Sequence, residues 1–185
     1  MILTGPEIQL QVELGKITIE PFDPEQVNPA SYDLRLGRDV LIYEPTTLIE
    51  RRYGDPVFGL DAKVENPTHK ITIPDEGLWL EPGTLYLMHT VEVVGTREFV
   101  TIIDGKSSLA RLGIVAHLTA GFGDPGFLGN YTLEVTVVHP VRVYAGMRFC
   151  QARFQTVRGQ LAQYDGNYAN DSRGPVASRS WRQFK

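Results

Sequence analysis

Residues 105–134 read GKSSLARLGIVAHLTAGFGDPGFLGNYTLE, and this stretch holds most of the polar motifs that bear on the fold and the chemistry of the chain. Glycines and an Asp-Pro-Gly turn at residues 124–126 divide it into short pieces. It ends on Glu134, an acid inside the otherwise apolar, β-branched segment 132–138. Short apolar segments separated by Gly and Pro are typical of strands joined by tight turns.

The same alternation of apolar segment and turn extends over most of the chain. The spacing Thr4-x-x-Glu7 is that of a capping box and predicts a helix over 5–13 that ends at Gly15. Residues 107–112 are compatible with one or two helical turns. Regular strand–turn repetition over about one hundred residues predicts a mostly-β sandwich, barrel or jelly roll. We predict strands beginning at 17 and over 31–37, 40–43, 71–73, 85–94, 100–103, 131–138 and 147–154.

The composition narrows the class of protein. A chain of 185 residues that is 42% apolar and 22% charged predicts one globular domain. A net charge of −4 argues against sequence-independent nucleic-acid binding, so we expect no nucleic-acid partner. No apolar run approaches the ~20 residues of a membrane span, and no signal peptide is recognisable. The single cysteine, Cys150, predicts a reducing, cytoplasmic location and excludes a multi-cysteine metal site.

The domain organisation predicted from the sequence has two parts. Residues 1–163 form a single β domain, and residues 164–185 form a C-terminal tail that is rich in Gly, Asn, Ser, Asp and Arg. A polar tail of this kind is either a frayed end or a flap that orders over a ligand.

The run 105–111 combines a glycine, two hydroxyls and two cations, which are the groups that bind an oligophosphate. It is not a P-loop, because that pattern requires a glycine where Val100 stands. The alternative is a surface helix that carries solvated charges. His117, taken alone, is more often a hydrogen-bonded core histidine than a catalytic residue.

Glu134 allows two interpretations. If its face of the strand is buried, the pKa of the carboxyl rises and the group suits proton transfer near neutral pH. The alternative is that Glu134 lies on the solvated face of an amphipathic strand.

In their order, the motifs resemble the dCTP deaminase family of the dUTPase-like superfamily. The resemblance covers residues 1–154 and resumes in the segment GPVASRS. It implies a dUTPase-like jelly roll or distorted β-barrel with short helices, assembled as a homotrimer with active sites between subunits. The segments that carry it are NPASYDLRLG (28–37), GKSSLARLG (105–113), TAGFGDPGF (119–127) and TLE (132–134).

The resemblance also implies a role for each site residue. The triphosphate would be held by Lys106, Ser107, Ser108, Arg111 and the backbone of Leu109 and Ala110. Asp124 would lie under the deoxyribose, Thr132 and Leu133 would contact the base, and Glu134 would shuttle the proton. Ser107 and the carbonyl of Ala120 would hold the water, Arg111 would supply charge, and Gln151 and Tyr164 would touch the phosphate or sugar end.

Hydrolytic deamination at C4 of cytosine requires an activated water and a proton carrier. Zinc deaminases carry H-x-E and P-C-x-x-C signatures, and this chain has neither, so zinc activation is ruled out on ligand count. No protein metal site is expected, and Mg²⁺ would enter with the triphosphate. The expected partners are dCTP as substrate and dTTP as a candidate inhibitor.

Residues Gly121-Phe122 favour the subtype that continues to dUMP, because a glycine there would leave room for a second water at the α-phosphate. The tail departs from the family pattern: Asn167 replaces a lysine, and Asp171 or Ser172 stands where a glutamine is usual. The alternatives are a monofunctional deaminase that releases dUTP, a dUTPase without deaminase activity, and a non-catalytic nucleotide-sensing trimer.

Overall fold

The computed structural model describes residues 1–50, 54–169 and 173–185, and its regular structure is mostly β. The helices are α1 (Gly5–Glu13) and α2 (Ser107–Ala110), with short 3₁₀ helices at Pro24–Gln26 and Ser180–Phe184. The strands are β1 (Ile17–Glu20), β2 (Val27–Asn28), β3 (Ser31–Arg35), β4 (Asp39–Tyr43), β5 (Thr47–Ile49), β6 (Val57–Gly59), β7 (Thr68–Thr72), β8 (Leu78–Leu80), β9 (Tyr86–His89), β10 (Val93–Thr96), β11 (Phe99–Gly105), β12 (Ile114–Val115), β13 (Phe122–Gly123), β14 (Leu128–Gly129), β15 (Thr132–Val137), β16 (Val141–Val143) and β17 (Arg148–Thr156).

Two five-stranded antiparallel sheets form the body of the molecule. Their strand orders are β13-β11-β17-β3-β2 and β12-β15-β9-β4-β7. Smaller sheets pair β1-β10-β14, β16-β8 and β5-β6. In the described part of the chain none of these sheets closes on itself, so the architecture is mostly β with open sheets rather than a closed barrel.

Helix α1 occupies the predicted span, but the capping box is not formed. The Thr4 side chain makes no capping hydrogen bond, and the Gly5 N–H donates instead to the Pro29 carbonyl over 2.9 Å. A Cβ atom at Gly5 would lie 2.1 Å from the Asn28 carbonyl oxygen. The helix therefore begins where the backbone of the 28–30 turn packs against it, and the fully buried Ile8 anchors it to the core.

The predicted strand over 85–94 is wrong, because this segment forms β9 and β10 in two different sheets. The turn between them contains Glu92, whose side chain is completely buried. Its carboxylate accepts hydrogen bonds from the Arg35 backbone N–H (2.8 Å), the Arg35 Nε (2.7 Å) and the Gln26 Nε2 (3.1 Å). A buried carboxylate with these partners fixes the turn against β3.

Strand β3 also departs from simple alternation, since Tyr32, Asp33 and Leu34 are all buried. Strand β15, in contrast, alternates strictly. Leu133, Val135 and Val137 lie in the core, and Thr132, Glu134 and Thr136 lie on the other face. Over the three described ranges, the helices are too short and too polar to cross a membrane.

Candidate active site

A pocket of about 740 Å³ lies beside β15 and is lined by residues from many parts of the fold. Its walls come from β4, the 60–66 loop, β9, residues 118–124, β15 and the C-terminal tail. A volume of this size suits a nucleotide-sized ligand. Of the residues predicted to bind or process a nucleotide, Ala120, Phe122, Asp124, Thr132, Glu134 and Tyr164 line it.

Glu134 lies on the pocket face of β15, opposite Leu87 of β9. Its Oε2 atom is buried and has no hydrogen-bond partner within the described chain. Burial raises the pKa of the Glu134 carboxyl, an effect that its own backbone hydrogen bond and the nearby His117 oppose. A carboxyl with a raised pKa and an open oxygen in a pocket is suited to carrying a proton.

Leu133, the neighbour of Glu134, was predicted to contact the base, but its side chain points the other way. It is 1% exposed, belongs to the hydrophobic core and does not line the pocket. Strand alternation is the reason, since Thr132 and Glu134 occupy the opposite face. Only the backbone of Leu133 remains available for a contact with a ligand.

His117 lies close enough to Glu134 for its charge to oppose the rise in the pKa of that carboxyl. The expectation of a hydrogen-bonded core histidine is wrong, because its Nδ1 atom is buried without a partner among the described residues. A Cβ atom at Gly121 would lie 2.9 Å from the His117 ring and 2.4 Å from the Ile103 carbonyl oxygen. Glycine is thus required by close packing, and the space on that side of Gly121 is filled rather than left open for a second water.

One wall of the pocket is formed by the aromatic rings of Phe127, Tyr131 and Tyr164. The Phe127 ring lies 4.9 Å from the Tyr131 ring and 6.2 Å from the Tyr164 ring, between centroids. The Tyr164 N–H donates to the Pro125 carbonyl over 2.7 Å, which ties the start of the tail to the Asp-Pro-Gly turn. The exposed carboxylate of Asp124 begins that turn, so acid and aromatic rings line one pocket.

The predicted phosphate run is elsewhere on the molecule. Leu109 is buried and anchors the short helix α2, whereas Ser107, Ser108 and Arg111 are exposed. Residues 106–111 contribute nothing to the pocket lining. In the part of the chain that the structure describes, the side chains of Ser107, Ser108 and Arg111 make no hydrogen bond or ion pair. They remain available for an external anion.

Lys106 and Gln151 are already held by neighbours. Lys106 forms a short ion pair with Asp33, a buried carboxylate that also accepts a hydrogen bond from Asn28 Nδ2 over 2.8 Å. Gln151 accepts from Ser31 Oγ over 2.7 Å and donates to the Gly105 carbonyl over 3.0 Å. These contacts join the end of β11 and the start of the phosphate run to β3 and β17.

The residues predicted for one site therefore fall into two groups on the single chain. We call the group around Glu134 the pocket region and the group at 106–111 with Gln151 the phosphate region. The pocket region is concave and partly buried, and most of the phosphate region is exposed surface.

The tail lies along the pocket region. Its backbone N–H groups at Gly174 and Val176 donate to Asn130 Oδ1 (3.1 Å) and Thr132 Oγ1 (3.0 Å). The carbonyl of Asn167, which replaces the family's lysine, accepts from Arg179 Nη1 over 2.7 Å. Asp171 and Ser172, the other departures, lie outside the described residues.

A protein-bound metal would need a cluster of ligating side chains. Within residues 1–50, 54–169 and 173–185 there is no group of three or more His, Cys, Asp or Glu side chains able to hold a metal ion. Cys150 is buried, and burial raises the pKa of its thiol.

Comparison with known proteins identifies the class. The family model for dCTP deaminase-like proteins matches residues 2–157. The protein of Leptospira biflexa named "dCTP deaminase, dUMP-forming" is 43% identical over 185 residues, covering 100% of this chain and 99% of that protein. The protein of the same name from Hathewaya histolytica is 44% identical over 186 residues, with 100% of both chains covered.

The fold matches as well. The crystal structure of 2'-deoxycytidine 5'-triphosphate deaminase from Agrobacterium tumefaciens superposes with a TM-score of 0.63 at 23% identity. The match covers 84% of this chain and 48% of that chain, so this chain spans about half of that protein's length. Family model, relatives and fold agree: the chain belongs to the dCTP deaminase-like family.

Proposed function

We propose that this protein hydrolyses the amino group of dCTP at C4 of cytosine and also releases diphosphate, so that its product is dUMP. The observation that carries the proposal is Glu134, a half-buried acid with a raised pKa and an unpartnered oxygen in a nucleotide-sized pocket. The names of the relatives from Leptospira biflexa and Hathewaya histolytica support the same product.

In the proposed deamination, Glu134 carries every proton that moves. Water adds to C4 while Glu134 accepts one of its protons and passes it to N3 of the ring. Glu134 then takes the proton of the new C4 hydroxyl and gives it to the amino nitrogen, which leaves as ammonia while C4 becomes a carbonyl. A single acid serves both transfers best when its pKa lies near the operating pH, and burial shifts the pKa of Glu134 upward, in that direction.

The other pocket residues would orient the nucleoside. Ala120 lines the same pocket as Glu134, and its carbonyl would hold the attacking water. Asp124 and Thr132 would hold the sugar and the base edge, and Tyr164 would cover the sugar from the tail.

Binding of a triphosphate requires cationic side chains, and Lys106 and Arg111 of the phosphate region do not line this pocket. We propose that a second copy supplies Lys106, Ser107, Ser108 and Arg111 to each pocket, in a jelly-roll homotrimer with shared sites. The side chains of Ser107 and Arg111 are exposed and have no partner among the described residues, which supports this arrangement. In a cyclic assembly one surface of each copy meets a different surface of the next, which brings the two groups together three times.

Mg²⁺ has a supporting role in this proposal. Its preferred ligands are oxygens, several of them water, and the triphosphate itself supplies them. Bound there, Mg²⁺ would neutralise charge on the departing diphosphate. On the protein side, Arg111 would lie against the phosphates, and Lys106 would have to exchange its ion pair with Asp33 for one with the ligand.

The wider biological setting follows from the same proposal. The enzyme would act on a free nucleotide in the cytoplasm, with dTTP as a candidate inhibitor because it shares the sugar and triphosphate of dCTP. Residues 164–185 would serve as the part of the chain that closes the site over residues 1–163.

Product analysis tests the proposal. Incubation with dCTP and Mg²⁺ is expected to yield ammonia, dUMP and diphosphate in equal amounts. Accumulation of dUTP would contradict diphosphate release and leave a monofunctional deaminase. Cleavage of added dUTP without any ammonia from dCTP would contradict deamination. A protein that binds dCTP and converts neither nucleotide would be a sensor.

A further inference from the structure

The C-terminal tail forms part of the wall of the pocket. Tyr164, Tyr168, Val176, Ser178 and Ser180 all line it. The question is therefore which residues of the body hold the tail in this position, because they determine whether the pocket is closed.

Tyr43, at the end of β4, contacts the tail directly. Its hydroxyl accepts a hydrogen bond from the Ser178 N–H over 2.7 Å. The ring lines the pocket, and burial raises the pKa of the hydroxyl, with charge on Tyr168 and Glu134 acting in the same direction. Tyr43 thus lies between the catalytic acid and the tail.

The 60–66 loop makes the next contacts. Ser180 Oγ donates to the Ala62 carbonyl over 3.0 Å, and the Lys63 ammonium lies 5.6 Å from the centroid of the Phe184 ring. The loop is held in shape by Asn66, whose Nδ2 donates to the Asp61 carbonyl over 2.8 Å and whose Oδ1 accepts from the Asp61 N–H over 3.0 Å. These hydrogen bonds lie within the loop and do not involve the tail.

We propose that Tyr43 and the 60–66 loop are the docking site that holds the C-terminal tail over the nucleotide pocket, with Tyr43 as a positioning residue. The Tyr43 hydroxyl holds the tail at the Ser178 N–H, and the Ala62 carbonyl of the loop holds it at the Ser180 hydroxyl. The inference rests on the proposed function only for the identity of the ligand, dCTP, and not for the docking itself.

Two variants remove the same hydrogen bond from opposite sides. Tyr43→Phe removes the acceptor and Ser178→Pro removes the N–H donor, while Tyr144→Phe is a matched control on the exposed surface. Two measurements are made: trypsin cleavage after Arg173 and Arg179 without nucleotide, and KM and kcat for dCTP. Ser180→Ala, which removes the bond to Ala62, provides a third, independent variant.

Tyr43→Phe and Ser178→Pro are each expected to speed tail cleavage and raise KM about five- to tenfold, the scale of one hydrogen bond, with kcat nearly unchanged. The double variant should show no further rise in KM or in the rate of cleavage, because both substitutions remove the same hydrogen bond. Ser180→Ala should have a smaller effect of the same kind, and Tyr144→Phe none.

Unchanged cleavage in Tyr43→Phe would overturn the proposal, as would full additivity of the two substitutions. A raised KM without faster cleavage would overturn it too, since Tyr43 would then act on the ligand directly. Faster cleavage in a protein that never converts dCTP would support the docking site and contradict the proposed function, so the two failures are distinguishable.

Discussion

The pocket region and the phosphate region differ in how far one chain completes them. The pocket region has walls, a half-buried acid and a tail across it, all from a single copy of the chain. The phosphate region presents Ser107, Ser108 and Arg111 to the surface without partners among the described residues. Under the proposed function, this difference means that proton transfer and phosphate binding would be built separately and joined only by assembly of two copies.

The largest expected effect is at the acid of the pocket region. Glu134→Gln keeps the shape of the side chain and removes its ability to carry a proton, so kcat should fall about 10²- to 10⁴-fold. Binding of dCTP, measured by calorimetry, should be retained. Glu98→Gln, at an exposed residue paired with Lys16, is the matched control. An active Glu134→Gln protein would remove the basis for assigning catalysis to this region.

A smaller loss is expected in the phosphate region. Arg111→Ala should lower kcat/KM for dCTP about 10- to 100-fold, since a charge-assisted hydrogen bond to phosphate is lost. The melting temperature should not change, because the side chain is exposed and unpartnered within the described chain. Arg158→Ala makes the same charge change at another exposed site. Equal effects of the two substitutions would contradict a role for Arg111 in phosphate binding.

Close packing at Gly121 predicts a loss of stability of about 1–3 kcal/mol for Gly121→Ala, because the new methyl group meets the Ile103 carbonyl and the His117 ring. Denaturant unfolding measures it. Gly105→Ala is the control for stability, since a Cβ atom there meets only Ala116 Cβ at 3.7 Å. If Gly121→Ala were as stable as wild type, the explanation of this glycine by packing would be wrong.

The smallest expected effect concerns pH. Because burial raises the pKa of Glu134, the acidic limb of kcat/KM should lie above about pH 4.3, the value of an exposed glutamate. Folding stability depends on the same raised pKa. Glu134 contributes most to the stability of the folded protein below the pKa that it has in the unfolded chain, and this contribution is lost as the pH rises through its pKa in the folded protein. Glu134→Gln should therefore melt higher than wild type at neutral pH and equally in acid. A lower melting point at neutral pH would contradict the raised pKa.

The sequence predicts the strands and motifs well where a local pattern determines them. The helix over Gly5–Glu13 falls where the Thr4-x-x-Glu7 spacing predicts it, although the capping box itself is not formed, and the strand around Glu134 falls where alternation predicts it. The break between β9 and β10 is invisible to periodicity, because it depends on Glu92 reaching Arg35 and Gln26 from distant segments.

For the candidate site, the sequence predicts several of the residues that line the pocket, but not how the predicted residues divide between two regions. The acid at Glu134 is recognisable from its motif, but nothing in the sequence indicates that Tyr43 and the 60–66 loop would line the same pocket. The motif also does not state that the Leu133 side chain lies in the core, which leaves only its backbone for the predicted contact with the base. These features depend on long-range packing, which no local pattern records.

The most direct test of shared sites is complementation between two inactive variants. Glu134→Gln and Arg111→Ala chains carrying different tags are co-expressed, and mixed trimers are purified through both tags. In a cyclic trimer that contains both variants, one of the three interfaces pairs an intact Glu134 with an intact Arg111, so about one third of wild-type activity is predicted. Mixed trimers no more active than the two parents would contradict the claim that each site is built from two copies.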